Sequence, residues 1–398
     1  LPQLEKKRPA EIIEALQHRT SDLGEAMEDA SLAFAFSQMS ERARKHLPSI
    51  GLFTSYVDAD VLGFFMTLGE QGKPVYTELV GEALNAEGWE AILEEAARSG
   101  LLSSPGSRVY ELHPTLPVFL RRQLVAAIGE DGLNRLDTEF LNLYAAIAQY
   151  YFEAARKADR NAIAMLSIEE ANLLRALRLA EKNEQWGMGG QIVQTLNEFY
   201  EITNRTDEWK ALRTGLLNYV GREMSTSADR NRARLWMFLI GDEANQALGR
   251  GDFGNAEVAY KQALDYLVSI NEPSVESMMA VSYHQLGIIA EERQQFDLAE
   301  QWYKKALAIY EQLEHPPLAV YTLAQLGVLR RKQERWQESV AWFGKALAIA
   351  DKYQMRVGRQ ILPYLAYLMK TMGENEFVAV WQQAFLTWSL RLTRCARR

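Results

Sequence analysis

The sequence predicts an all-α protein, and three observations carry that reading. Apolar residues make up 48% of the 398-residue chain, ample for a buried core. Proline, which breaks helix interiors, occurs only 11 times. A small–aromatic–small triplet recurs at a long interval in the C-terminal half: Ala256, Tyr260 and Ala263, then Ala299, Tyr303 and Ala306, then Ser339, Phe343 and Ala346. The copies start 43 and 40 residues apart, and within each the spacing is four then three, which places the triplet on one helix face.

The N-terminal third carries no such repeat. Helical stretches are expected at about 8–18, at 31–46 with Ser31 as cap, and at 58–68 opened by Asp58 or Asp60. A short helix near 75–84 and one over 87–99, ended by Gly100, follow. Pro105-Gly106 marks a turn, so Leu101-Leu102 and Val109–Leu112 are expected to form a short β-hairpin. A helix over 115–128 comes next. Helices, a hairpin and a further helix are the plan of a winged-helix domain.

The array begins after this unit. Helices at about 136–157 and 165–182 form one pair, and Leu196, Tyr200, Trp209 and Leu216 fit the offsets of another. In the clearest copies Leu286-Gly287 and Leu326-Gly327 precede the first small position by thirteen residues. Short polar turns separate the helices, with Asp252 and Asp297 as candidate caps. Downstream, 359–372 and 374–390 read as a terminal pair, bringing the total to about six. This pattern resembles the tetratricopeptide repeat (TPR), implying a right-handed superhelix. There the glycine of helix A is expected to admit the alanine of helix B, with the aromatic filling the gap towards the next pair. Trp302, Trp336, Trp342, Tyr303 and Phe343 are assigned to core packing. The resemblance implies a protein or peptide ligand on the concave face. By their offset from the Leu-Gly pair, Asn245, His284, Glu291, Tyr321, Gln325 and Arg331 are its candidate contacts.

Charge and chemistry narrow the function. The net charge is −8, which disfavours non-specific binding to nucleic acid or anionic lipid. Over 45–125 six basic residues face ten acidic ones, and the would-be recognition helix carries Glu87, Glu90, Glu94 and Glu95. Phosphates would be repelled there. The single cysteine, Cys395, excludes a disulfide framework and a cysteine zinc site, which makes a reducing cytoplasm the expected compartment. No membrane span is expected. The five histidines show no metal-ligand spacing, no nucleophile elbow occurs, and no phosphate-binding Gly-x-x-x-x-Gly-Lys-[Ser/Thr] is present. No catalytic residue, metal or cofactor is therefore assigned, and the chain is expected not to be an enzyme.

Three segments together resemble the region downstream of the nucleotide-binding core in signal-transduction ATPases with numerous domains (STAND, NB-ARC-like). They are SLAFAFSQMSERARKHLPSIGLF, ARSGLLSSPGSRVYELHPTLPVFLRRQL and the EEANLLRAL helix at 169–177. The resemblance implies a sensor region in which residues 1–44 are the tail of an upstream helical domain, 45–130 the winged helix and 131–398 the repeats. It implies ADP or ATP only together with that upstream core, which is the expected partner. His113, in Leu-His-Pro, matches the histidine of the class's Met-His-Asp motif and becomes the candidate nucleotide-sensing residue, although Met and Asp are both replaced. The opening Leu1-Pro2-Gln3, without an initiator Met or signal core, is expected to lie inside a longer protein. The competing readings are a free-standing peptide-responsive transcriptional regulator, which needs a basic recognition helix, and a passive scaffold.

Overall fold

The computed structural model describes residues 31–69, 73–106, 108–157, 159–221, 229–270 and 275–383. The helix expected at 8–18, residues 384–390 of the terminal helix and Cys395 lie outside them. The chain divides into two compact units, Leu1–Gly215 with Asp229–Leu235, and Leu216–Ala228 with Trp236–Arg398.

The first unit opens with a helix over 31–37 (α1) and α2 (Glu41–His46). The single helix expected across 31–46 is broken, because Ser40 caps α2 by accepting from the Ala43 amide at 3.2 Å. A 3-10 turn (Leu47–Leu52) leads into β1 (Tyr56–Asp58), a strand the sequence did not predict. Then come α3 (Ala59–Phe65), capped by Asp58, α4 (Val75–Val80) and α5 (Ala86–Arg98), capped by Asn85. The expected hairpin forms as β2 (Leu102–Gly106) and β3 (Val109–Leu112). All pairing is antiparallel in the order β1-β3-β2, and β1 lies on the far side of β3 in the register Val57 opposite Tyr110.

Helix α6 (Leu116–Ala155) is two helices run together across Gly129, whose φ of 76° and ψ of 170° kink it. It is followed by α7 (Arg160–Lys182), α8 (Trp186–Ile202) and α9 (Thr206–Val220). The segment before β1 packs onto α3 and α6. Phe53 packs edge-on against Phe65 and Phe140, at 6.2 and 5.2 Å between ring centroids. The EEANLLRAL segment of α7 makes the polar joints. Asn172 accepts from the Thr54 amide and hydroxyl, both at 2.9 Å, and donates to the Tyr56 carbonyl at 3.0 Å, pinning β1 to the helix. Glu169, also buried, accepts from Tyr144 Oη at 2.7 Å and Asn172 Nδ2 at 2.9 Å. Arg175 donates to the buried Asp137 carboxylate at 2.8 Å, and Arg121 donates to its other oxygen at 2.6 Å.

In the second unit the helices alternate regularly. Helix α10 (Arg230–Gly249) enters it, then α11 (Phe253–Ile270), α12 (Glu276–Glu292), α13 (Phe296–Gln312), α14 (Pro316–Lys332), α15 (Trp336–Lys352), α16 (Val357–Met372) and a helix over 374–383 (α17). Helices α12 to α15 are each 17 residues long, and the turns between them are built alike. Gln294, Glu314, Glu334 and Gln354 stand twenty residues apart with φ between 50° and 60°. The residue after each closes the helix from its amide: Gln295 onto the Ala290 carbonyl at 2.8 Å, Arg335 onto Arg330 at 2.9 Å, Met355 onto Ala350 at 2.8 Å. This is the Schellman closure, here without the glycine that usually takes the left-handed position. Asp252 caps α11 through the Asn255 amide at 3.2 Å. Asp297 lies inside the first turn of α13, where Gln295 is the cap residue, so the expected capping role is not realised there.

The packing inside each pair adds to one expectation. The Leu-Gly glycine of helix A faces the aromatic of helix B, and in the α14–α15 pair it also meets the small position, where Ser339 Oγ donates to the Gly327 carbonyl at 2.7 Å. A Cβ on Gly287 would lie 2.4 Å from the Tyr303 ring, and one on Gly327 2.8 Å from the Phe343 ring. Both rings are fully buried. The alanines Ala299, Ala306 and Ala346 are buried beside them in the same core.

Candidate binding face of the helix pairs

The sequence-predicted contacts of the second unit lie on its first-in-pair helices α10, α12 and α14. Their settings differ. Asn245 on α10 is exposed, and its Oδ1 accepts from Tyr260 Oη at 2.6 Å. His284 on α12 is mostly buried, its Nδ1 3.0 Å from Thr322 Oγ1 of α14 and its ring 5.7 Å from that of Tyr303. Burial without a charged partner lowers its pKa to about 4, so the ring is neutral at physiological pH. Glu291 is buried, accepts from Tyr303 Oη at 2.8 Å and pairs with Lys332 Nζ at 3.0 Å. Lys332 also reaches Glu292 at 3.0 Å, and these carboxylates favour its charged form, raising its pKa in spite of the desolvation it suffers. His284 and Glu291 are thus engaged within the helix stack.

The other three candidates reach the surface to different degrees. Tyr321 is 54% exposed, large for a tyrosine with no polar partner to explain it. Gln325 is half-buried, and the amide oxygen of its counterpart one repeat earlier, Gln285, is buried without a hydrogen-bond partner. Arg331 is half-buried, with its guanidinium carbon 5.6 Å from the Tyr364 ring centroid and 5.7 Å from that of Tyr367. Its Nε is buried with no hydrogen-bond partner. Tyr364 stacks on Phe343 at 5.2 Å, while Tyr367 keeps 48% of its surface exposed. A cation lying over two tyrosines, one of them half exposed, has the composition of a protein-recognition surface. Sequence reasoning missed Tyr364 and Tyr367, although their i, i+3 spacing on an apolar-rich helix was a usable signal.

In the first unit His113 is exposed just after β3. Its Nδ1 lies 2.9 Å from Thr115 Oγ1, and its carbonyl accepts from the Leu116 amide at 2.9 Å, so it organises the start of α6. The one basic residue of the hairpin tip, Arg108, pairs with Asp60 at 3.1 Å and with Glu90 of α5 at 3.0 Å. The hairpin arginine is therefore engaged by the acidic side chains of α3 and α5. Among the described residues, no group of three or more His, Cys, Asp or Glu side chains is placed to hold a metal, and no helix is long and apolar enough to cross a membrane.

Residues 278–352 match the tetratricopeptide repeat family. The match spans α12 to α15, the four helices whose length and turns are most regular. No protein of curated function is detectably similar in sequence. Among solved structures, BtubC (BKLC) from P. vanneervenii is similar at 18% identity and a TM-score of 0.42, over 63% of this chain and 92% of that one. A signal transduction ATPase with numerous domains and a tetratricopeptide repeat sensor, from Pyrococcus horikoshii, is similar at 12% identity and a TM-score of 0.35. That similarity covers 91% of this chain and 65% of the archaeal one.

Proposed function

We propose that this chain is a non-catalytic sensing region, in which the first-in-pair helices of the repeats bind a protein or peptide trigger. In this reading a winged-helix unit over 45–130 passes the event to the nucleotide-binding core of a STAND-type ATPase. The observation that carries the binding part is the surface around Arg331 of the matched repeats and Tyr364 and Tyr367 of the helix that follows them, with Tyr321 exposed on the same helix as Arg331. The relay part is supported by the three segments that resemble that class. It is supported also by the buried joint of Asn172, Glu169 and Asp137, which ties the small sheet to the first helices of the array inside one compact unit.

The test compares the wild-type chain with the double variant Tyr321→Ala, Arg331→Ala as bait in extracts of the source cell. Truncation of two interface anchors weakens binding by more than about thirtyfold. A protein retained by the wild type and lost from the variant supports the reading. A retained set identical for both sinks it. The relay is tested separately: a phosphate-binding loop encoded directly upstream in the natural gene is expected, and its absence removes the ATPase while leaving the binding face standing.

A further inference from the structure

Beyond the face just described, the second unit holds a cavity of about 340 Å³ between α13, the start of α14 and α15. Its walls include Tyr310, Ala319, Leu323, Trp342, Lys345 and Ile349, and Glu311 and Glu314 stand at its rim. The preceding repeat shows what occupies the same place there. Moving back forty residues turns Trp342 into Trp302, Lys345 into Lys305, Ile349 into Ile309, Leu323 into Tyr283 and Ala319 into Met279. Tyr283 lies flat on Trp302, 5.6 Å between centroids with the planes 20° apart. Lys305 sits over both rings, its Nζ 4.4 Å from Trp302 and 5.5 Å from Tyr283. Met279 packs against the same cluster.

In the following repeat the platform is kept and the filling is lost. Lys345 Nζ lies 4.3 Å from the Trp342 ring centroid, as Lys305 does over Trp302. Leucine and alanine replace tyrosine and methionine, however, and the space those larger side chains would take is the cavity. The negative face of an aromatic ring is what a lysine above a tryptophan attracts, and an offset stack on the indole is how such a ring packs.

We propose that this cavity is a binding site for an aromatic side chain presented by a second polypeptide. The ring stacks on Trp342 beneath Lys345, as Tyr283 does on Trp302 within the chain itself. The site is separate from the Arg331 face, and either can fail without the other.

The test uses the full chain and N-acetyl-tyrosinamide as probe, with N-acetyl-leucinamide as the apolar control, read by saturation-transfer NMR on the probe. Transfer to the tyrosine ring is expected, exceeding that to the leucine methyls. Leu323→Tyr, which restores the ring from within, should abolish it while leaving the thermal midpoint equal to or above that of the wild type. Trp342→Ala, which removes the platform, should weaken binding by about tenfold. Should Leu323→Tyr fail to fold, Ala319→Met fills the same space with a smaller change and is expected to abolish transfer in its place. Equal transfer to both probes, no transfer in the wild type, or undiminished transfer in the folded filled variant would each overturn the proposal.

Discussion

Gly287 and Gly327 show how a single missing carbon sets the spacing of a helix pair. In an unconstrained helix, replacing glycine by alanine gains about 1 kcal/mol through backbone entropy. Here the added Cβ meets Tyr303 or Phe343 well inside contact distance, and both rings are enclosed on all sides. Overpacking of this kind costs about 1–3 kcal/mol, so Gly287→Ala and Gly327→Ala are expected to be net destabilising in urea titrations. A stabilised variant would show that the ring has room to retreat. His284 makes a second prediction at this scale. Its folded pKa, about 4, lies below the ordinary value near 6.5, so the unfolded chain takes up the proton first. The stability attached to the neutral ring is therefore complete above pH 6.5 and is lost as the pH falls towards 4. The loss reaches at most about 3 kcal/mol, and the partial exposure of the residue reduces it. In His284→Gln the slope of unfolding free energy against pH between 4 and 6.5 should be shallower than in the wild type. Identical slopes would mean that the imidazole is protonated without cost.

At the scale of elements the turns share one device: six of them place a non-glycine residue in the left-handed region, Glu184 and Asn204 twenty residues apart and Gln294, Glu314, Glu334 and Gln354 at the same interval. That conformation costs an ordinary side chain about 1 kcal/mol, which glycine avoids. Gln294→Gly or Glu334→Gly should consequently hold stability level or raise it by up to about 1 kcal/mol, whereas β-branched replacements should lower it. Differential scanning calorimetry of the two series separates these cases. The strand β1 depends on a different device, the side chain of Asn172. Asn172→Leu leaves the Thr54 amide and the Glu169 carboxylate short of a partner in a buried setting, at about 1–3 kcal/mol for each group. Hydrogen exchange should then accelerate at 54–58 while the repeats α12 to α15 stay protected. Unchanged protection of β1 would show that its pairing with β3 suffices.

For the molecule as a whole, charge and repetition govern what it can do. A net charge of −8, together with a hairpin arginine already paired with Asp60 and Glu90, argues against a phosphate-binding surface on the small sheet. Fluorescence anisotropy with a labelled duplex should show no saturable binding at about 0.15 M salt, where weak non-specific affinity is screened. Tight binding there would revive the transcriptional-regulator reading. The repeats bury one continuous core from α12 to α16, each pair covering the next, in the manner of a quasi-one-dimensional array.

Much of this was legible beforehand, and what was not has a common cause. Helix identity, the hairpin and the repeat positions 256–263, 299–306 and 339–346 follow from local periodicity, because a helix face and a turn residue are properties of neighbours in the chain. The sequence by itself therefore determined the helical class, the repeat frame and the candidate surface residues Tyr321 and Arg331. Strand β1 could not be read, since its three residues are held by β3, fifty residues on, and by Asn172, more than a hundred away. Nor could the burial of His284 and Glu291, which Thr322, Lys332 and Tyr303 bring about from neighbouring helices. The tertiary structure alone decided that the glycine also meets the ring, that Arg331 lies over two tyrosines, and that a cavity lies beside Leu323 and Ala319, where the preceding repeat carries Tyr283 and Met279. Each of these depends on which side chains a neighbouring helix supplies across the contact, and a pattern read along one helix carries no information about that.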